Sequence, residues 1–465
     1  MSEELKDKLF NKKENGWKDL NDEEKNKIFE FSDNYMSFLN VSKTEREFIK
    51  NARKLADENG YKDIMEFDSL KPGDKIYFIN REKSMYLAII GTEPIENGLH
   101  IIGSHVDSPR LDLKPNPLCE DTELAYFKTH YYGGIKKYQW TTIPLAIHGR
   151  IVKPNGEKID ICIGEDSADP IFTITDLLPH LAQDQMQKKL KDGIDGEDLK
   201  LLVGSIPFGN EKGTDLVKLN ILNILNQKYG ITEADLSSSE IELVPEFKAR
   251  SLGFDGGLVA AYGQDDKVCA YTSLMAMMEL NNVKNTAVCI LSDKEEIGSM
   301  GNTGMESHMF DFFVSEILNK IGVNKPNLLD RVFCFSKMLS SDVDAGYDPI
   351  YASVSDRENA GFLGKGISLN KYTGARGKSG ASDANAEYVA WIRSLLEKND
   401  IKYQIAELGK VDIGGGGTIA YIIANKGADV IDLGVPVLSM HAPYEVTSKY
   451  DVYSAYRTYK AFWQE

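Results

Sequence analysis

Cysteine is scarce in this chain of 465 residues: the five present, Cys119, Cys162, Cys269, Cys289 and Cys334, are odd in number and widely spaced. A disulfide framework requires pairing and a thiolate zinc site requires C-x-x-C spacing. Neither pattern occurs, so neither organises the fold. Long apolar runs are also missing. Tyr86 to Gly91 and Thr286 to Leu291 fall far short of the roughly 20 residues that cross a bilayer, and no transmembrane helix is expected. Positive charge is the minority: 54 Lys and Arg against 71 Asp and Glu leave a net charge of −17. Such a surface repels phosphate backbones and anionic lipid alike, which argues against nucleic acid and membranes as partners. The opening MSEELKDKLFNKKENG is charged from its third residue and lacks the apolar core of a secretory signal. A cytoplasmic protein is the expectation.

What is present reads as an ordinary folded enzyme, with 42% apolar and 27% charged residues and enough length for two domains. Residues 1 to about 60 carry Leu, Phe and Ile at three- and four-residue intervals, as in Ile28, Phe29 and Phe31, and predict amphipathic helices. From Lys75 the pattern changes to short β-rich runs, KIYFIN, MYLAIIG and LHIIG, separated by turn formers. After Arg250 strands and helices alternate: a helix at Tyr271 to Leu280, a strand at TAVCILS, a helix at Ala384 to Glu397, a strand at VPVLSMH and a helix at Val452 to Trp463. This predicts an α/β fold, a mixed β-sheet flanked by helices. Between them lies a segment of different character, with β-like pieces and a polar stretch around Gln183 to Lys200. It is expected to be an inserted β-rich domain over 116–247, leaving 1–115 and 248–465 as the catalytic domain.

Open α/β sheets gather ligands at the carboxyl ends of their strands. Four such ends carry metal-ligand chemistry: LHIIG runs into His105 and Asp107, TAVCILS into Glu295 and Glu296, VFCFS leads to Asp342 and Asp344, and VPVLSM delivers His441. The Asp265–Asp266 pair ahead of a helix is a fifth candidate. Each alone has a bland reading: a surface turn, a solvated acidic pair, a core histidine. Their coincidence at successive strand ends favours a site. In His105-x-Asp107 the carboxylate can accept a hydrogen bond from the imidazole, and adjacent Glu295 and Glu296 can divide into a metal ligand and a base. Two His and several carboxylates without a thiolate suit Zn²⁺, and also Mn²⁺ or Co²⁺. Five candidate ligands exceed what one zinc needs, so two metals about 3.5–4 Å apart with a shared carboxylate are expected.

SHVDSPRLDLKP, YGQDDKVCAYTSL, SDKEEIGSMG, SSDVDAG and SMHAPYEVTSKYD, in this order from about residue 85 onward, resemble the aspartyl aminopeptidase and vacuolar aminopeptidase I family of dizinc exopeptidases. The resemblance implies an aminopeptidase that releases N-terminal residues from peptides. It implies that His105, Asp342 or Glu296, and His441 bind metals, with Asp265 bridging. Asp265 is preferred to Asp266 because the motif tolerates Asn at the second place. Asp107 would orient the His105 side and Glu295 would be the general base. His148, in LAIH, is implied to stabilise the oxyanion from a neighbouring subunit, and the inserted domain to mediate dimerisation within a tetrahedral dodecamer. Gly414 to Gly417 lack the spacing of a phosphate loop and read as a backbone wall beside the substrate. Lys371, Arg376 and Lys378 lie where an acid-specific pocket would draw its cation, but their segment does not match the acid-specific pattern, and broad or neutral specificity is expected. The rival readings are a dizinc carboxypeptidase or deacylase, which needs a cationic clamp for a free C-terminus, and a non-catalytic assembly or cargo-binding protein, which would have lost the base or a ligand.

Overall fold

Two helices near the start are fixed by reciprocal caps. Asn21 and Glu24 form a capping box at the head of Asp22–Leu39, and Thr44 and Glu47 form another before Glu45–Glu58. Their apolar faces, Tyr35, Met36 and Leu39 on one and Phe48, Ile49 and Ala52 on the other, are buried in the largest core cluster. The structure, a computed structural model, describes every residue except Met1, Lys12, Glu211 and Asn324.

At the centre lies His100–His105, parallel to Ala287–Ser292 on one side and to Lys337–Ser341 on the other, within a mixed sheet of nine strands among the described residues. Both faces of this strand are covered, and all six of its residues, polar ones included, are buried. Alternation sends Ile102 into the core beneath helices Gln264–Met278 and Lys449–Gln464, and Ile101 into the opposite core beneath Met309–Ile321 and Leu328–Cys334. The expected fold class, a mixed sheet flanked by helices, is the architecture observed.

Among the described residues, six antiparallel strands between Arg110 and Pro245 form a second sheet, which has its own core around Leu111, Phe127, Trp140, Leu145 and Leu243. The expected insertion at 116–247 falls on this sheet, whose first strand, Arg110–Asp121, starts earlier and crosses an irregularity between Leu113 and Leu118. A third sheet of five short strands includes Pro436–Leu438 and Glu445–Ser448. No helix among the described residues is long and apolar enough to cross a membrane.

One expected strand is absent. Val332 to Cys334 of VFCFS close the helix Leu328–Cys334, with Val332 and Phe333 packed against the neighbouring helix core, and the strand that leads to Asp342 is KMLSS, Lys337–Ser341. A short apolar run does not distinguish strand from buried helix.

Candidate metal centre

Five chain segments converge at the carboxyl ends of the central strands. His105 ends its strand and Asp107 follows in the loop. Asp265 and Asp266 open helix Gln264–Met278 with non-helical backbone. Glu295 and Glu296 lie in a single 3-10 turn rather than on a strand, entered through Lys294 at φ 66° and left through Gly298 at φ 97°. The two adjacent acids are therefore separated by a tight turn. Asp342 follows Lys337–Ser341, and His441 stands in a left-handed turn at φ 65° after Pro436–Leu438.

Asp265 is at the centre of the cluster. Its Oδ1 is 3.2 Å from His105 Nε2 and its Oδ2 is 3.2 Å from His441 Nε2. Asp342 Oδ1 lies 3.6 Å from His105 Nε2, and Glu296 Oε2 lies 3.6 Å from His441 Nε2. The cluster thus has two halves, His105 with Asp342 and His441 with Glu296, joined by one carboxylate. Glu295 Oε2 stands 3.9 Å from His105 Nε2, within reach of the same space. Both rings are oriented from behind. His105 Nδ1 is 3.1 Å from the Asp107 carbonyl and 3.3 Å from its Oδ1, and His441 Nδ1 is 2.8 Å from the Gly134 carbonyl. Each partner only accepts, so Nδ1 carries the hydrogen and each Nε2 faces Asp265.

Two supporting residues, Glu445 and Tyr132, escaped sequence reasoning, and Asp266, the alternative passed over for Asp265, supports the site as well. Glu445, almost fully buried, accepts the Asp265 amide at 3.1 Å and the His441 amide at 2.8 Å, so one side chain ties together two residues far apart in the chain. It is the acid of SMHAPYEV, four residues after His441. Asp266 accepts the His105 amide at 3.2 Å. Tyr132 donates to Asp107 at 2.9 Å, and Asp107 also accepts the amides of Glu295 and Glu296, each at 3.2 Å.

Among the described residues, no Lys or Arg pairs with Asp107, Asp265, Glu295, Glu296 or Asp342. Protonation responds accordingly. Burial and the neighbouring Asp342, Asp107 and Asp265 push Glu295 up to about 8 despite His105. Burial and Asp265 push Glu296 up as well. Burial opposes charge on His441, yet Asp265 and Glu296 raise it to about 10. Asp265 moves the other way: burial works against its ionisation, but the two imidazoles hold it below the usual carboxylate range. Glu296 Oε1 and Asp266 Oδ1 are buried without hydrogen-bond partners. Two imidazole nitrogens, several carboxylates and orphaned buried oxygens make a donor set that fits divalent cations.

His148 is not brought to this cluster. It lies on Leu145–Val152 of the second sheet, buried, with Nδ1 2.7 Å from Glu47 and Nε2 3.1 Å from Glu165, so both ring nitrogens are engaged within its own chain. Beside the cluster opens a cavity of about 440 Å³, walled by Val343, Leu408, Met440 and Gly415 to Gly417, with no Lys or Arg in its lining. A Cβ on Gly415, at φ 127°, would stand 2.4 Å from the Ala375 Cα, so that position requires glycine, whereas Gly416 and Gly417 have room for a side chain. Lys371 and Lys378 pair with Asp383 at 3.3 and 3.0 Å, and Arg376 and Lys378 line a separate pocket.

Residues 38–463 match the family model described as aminopeptidase I zinc metalloprotease (M18). The chain belongs to the M18 aminopeptidase family. This M18 chain is 50% identical over 458 residues to a probable M18 family aminopeptidase 1 of Clostridium acetobutylicum, a match covering 98% of each. In structure it is similar to an M18 aminopeptidase of Thermotoga maritima (TM-score 0.94, 44% identity, 98% of this chain and 100% of that one). It is also similar to aminopeptidase I of Clostridium acetobutylicum (TM-score 0.93, 47% identity, 98% and 100%). It is a zinc metallo-aminopeptidase, a hydrolase of peptide bonds.

Proposed function

We propose that the cluster holds two zinc ions, one between His105 and Asp342 and the other between His441 and Glu296, with Asp265 shared, and that it releases neutral N-terminal residues from peptides. The observation carrying this reading is the Asp265 carboxylate, which presents one oxygen to each histidine at 3.2 Å. Two bound divalent ions would supply Lewis acidity for water activation and carbonyl polarisation. Glu295 then acts as general base: it takes the proton of the attacking water and delivers it to the leaving amine. Asp107 holds the amides of Glu295 and Glu296, and so fixes the base relative to the histidines. His148 serves as a tie between helix Glu45–Glu58 and the second sheet rather than as an oxyanion donor.

A carboxypeptidase or deacylase clamp needs a cation, and none lines the cavity; its anionic floor suits a free α-ammonium instead. The same absence disfavours acidic first residues, while Val343, Leu408 and Met440 suit apolar ones. A non-catalytic binding role is disfavoured because Glu295 and all five proposed ligands are in place. Self-association is supported by the apolar side chains left bare on the second-sheet region, Leu181 at 69%, Met186 at 73% and Ile206 at 70% exposure. One structural relative of 22% identity, from yeast, was solved as a dodecamer, and we extend a homo-oligomer built through this region to the present chain.

The test is residue release from free and N-acetylated peptides, with Glu295→Gln as comparison. Cleavage of free N-termini alone, Leu ahead of Asp, and a loss on the order of 10²–10⁴-fold in the variant with zinc retained are expected. Release from acetylated peptides, or an active variant, would overturn the assignment.

A further inference from the structure

The second sheet reaches the metal cluster through one turn. Its strand Leu124–Tyr132 sets Tyr132 opposite Arg110 and then passes through Gly133, at φ 75°, into Gly134. From this turn the Tyr132 hydroxyl donates to Asp107 Oδ2 at 2.9 Å, and the Gly134 carbonyl accepts from His441 Nδ1 at 2.8 Å. Gly133 packs so close to Glu296 that an added Cβ would stand 3.3 Å from its Oε2. The turn therefore touches the support of one half of the cluster and both side chains of the other half.

It is also rigidly backed. The Arg110 guanidinium lies 3.9 Å from the centroid of the Tyr132 ring. Asp112 at 2.8 Å and Glu242 at 3.2 Å, both on strands of the same sheet, hold that guanidinium in place. The Tyr132 ring is thus stacked on a buried arginine that two acids hold in place.

We propose that Tyr132–Gly133–Gly134 is a positioning strap through which the second sheet sets the geometry of the zinc ligands. The strap touches neither substrate nor the attacking water. Tyr132 acts through Asp107 on the His105 ring and the Glu295 and Glu296 amides, and Gly134 fixes the tautomer of His441. The inference rests on the two-zinc reading. Coupling of this kind is reciprocal: if the strap favours zinc, zinc must favour the seated strap.

The experiment uses the full chain. Zinc is titrated in competition with a chromogenic chelator for wild type, Tyr132→Phe and Tyr131→Phe, the last a half-exposed neighbour as control. Loss of an outer-shell partner costs about 10–100-fold in metal affinity, so Tyr132→Phe is expected to weaken zinc by at least about tenfold and Tyr131→Phe not at all. A merely structural role would lower the melting temperature of both zinc-free and zinc-loaded protein without changing the competition curve. In wild type, amide exchange over 131–135 is expected to slow when zinc is added. An unchanged zinc affinity in Tyr132→Phe overturns the strap while two zinc ions in wild type leave the catalytic reading standing. A wild type that takes up no zinc overturns both. If Tyr132→Phe does not fold, exchange in wild type decides, and protection over 131–135 indifferent to zinc overturns the proposal.

Discussion

Two regions of the molecule wedge a histidine between carboxylates, and only one of them is left needing a cation. At the seam between helix Glu45–Glu58 and the second sheet, His148 contacts Glu47 and Glu165, and Glu165 is also paired with Lys43 and Lys248. Protein cations neutralise that cluster. At the strand ends, His105 and His441 face Asp265, Glu296 and Asp342 with no lysine or arginine among the described residues to offset them. Buried acids without a cation are costly unless something positive is bound. Uncompensated charge, rather than the histidine itself, is what separates the proposed metal centre from the proposed structural tie.

That contrast can be broken or sharpened by substitution. The largest effect is expected at Asp265→Ala, which removes the carboxylate shared by both halves. Residue release should fall to background, further than the loss on the order of 10²–10⁴-fold expected on removing the base alone, and metal analysis should find the chain depleted of zinc. Retention of two zinc ions would refute the sharing. Next comes Lys43→Met, which strips a buried cation from the seam. Breaking such a pair costs about 3–5 kcal/mol, to be read by urea unfolding, with zinc content per folded chain unchanged. Preferential loss of zinc would show that the two clusters are not independent.

pH should move the two regions in opposite directions. Burial opposes charge on His441, but Asp265 and Glu296 raise it to about 10, so on the proposed two-zinc reading zinc must displace its proton. Apparent zinc affinity should therefore rise with pH, by about tenfold per unit for each proton released, as calorimetry in buffers of different ionisation enthalpy would measure. At the seam, burial opposes charge on His148, but Cys162, Glu165 and Glu47 raise it well above its ordinary value. A raised histidine stabilises the fold fully below its unfolded pKa and loses that contribution as pH climbs through the folded one. The smallest effect is thus the stability gap between wild type and His148→Gln, about 1–3 kcal/mol, constant below neutrality and shrinking in alkali. Turnover should be unaltered per folded chain. A loss of about 10²–10³ in kcat would instead mark His148 as an oxyanion donor.

The convergence of the strand-end motifs was legible because strand-terminal polarity survives as a local pattern: apolar runs end at His105, near Asp342 and ahead of Glu295. Neighbouring details were not. VFCFS looked like a strand since only its packing against a helix core distinguishes it from one. The roles of Glu445 and Tyr132 depend on contacts made across 180 and 25 residues, which no local spacing encodes. The partners of the His148 ring within its own chain, Glu47 and Glu165, are likewise brought together by the fold and not by local spacing.

The cluster draws one residue or pair from each of five segments, the first at His105 and the last at His441, stitched by Glu445 across the interval. No fragment containing only part of this span possesses a complete set of groups for hydrolysis. On the proposed reading, hydrolytic capacity is therefore the last property the chain acquires: a copy that has not yet brought these five segments together is inert toward its neighbours.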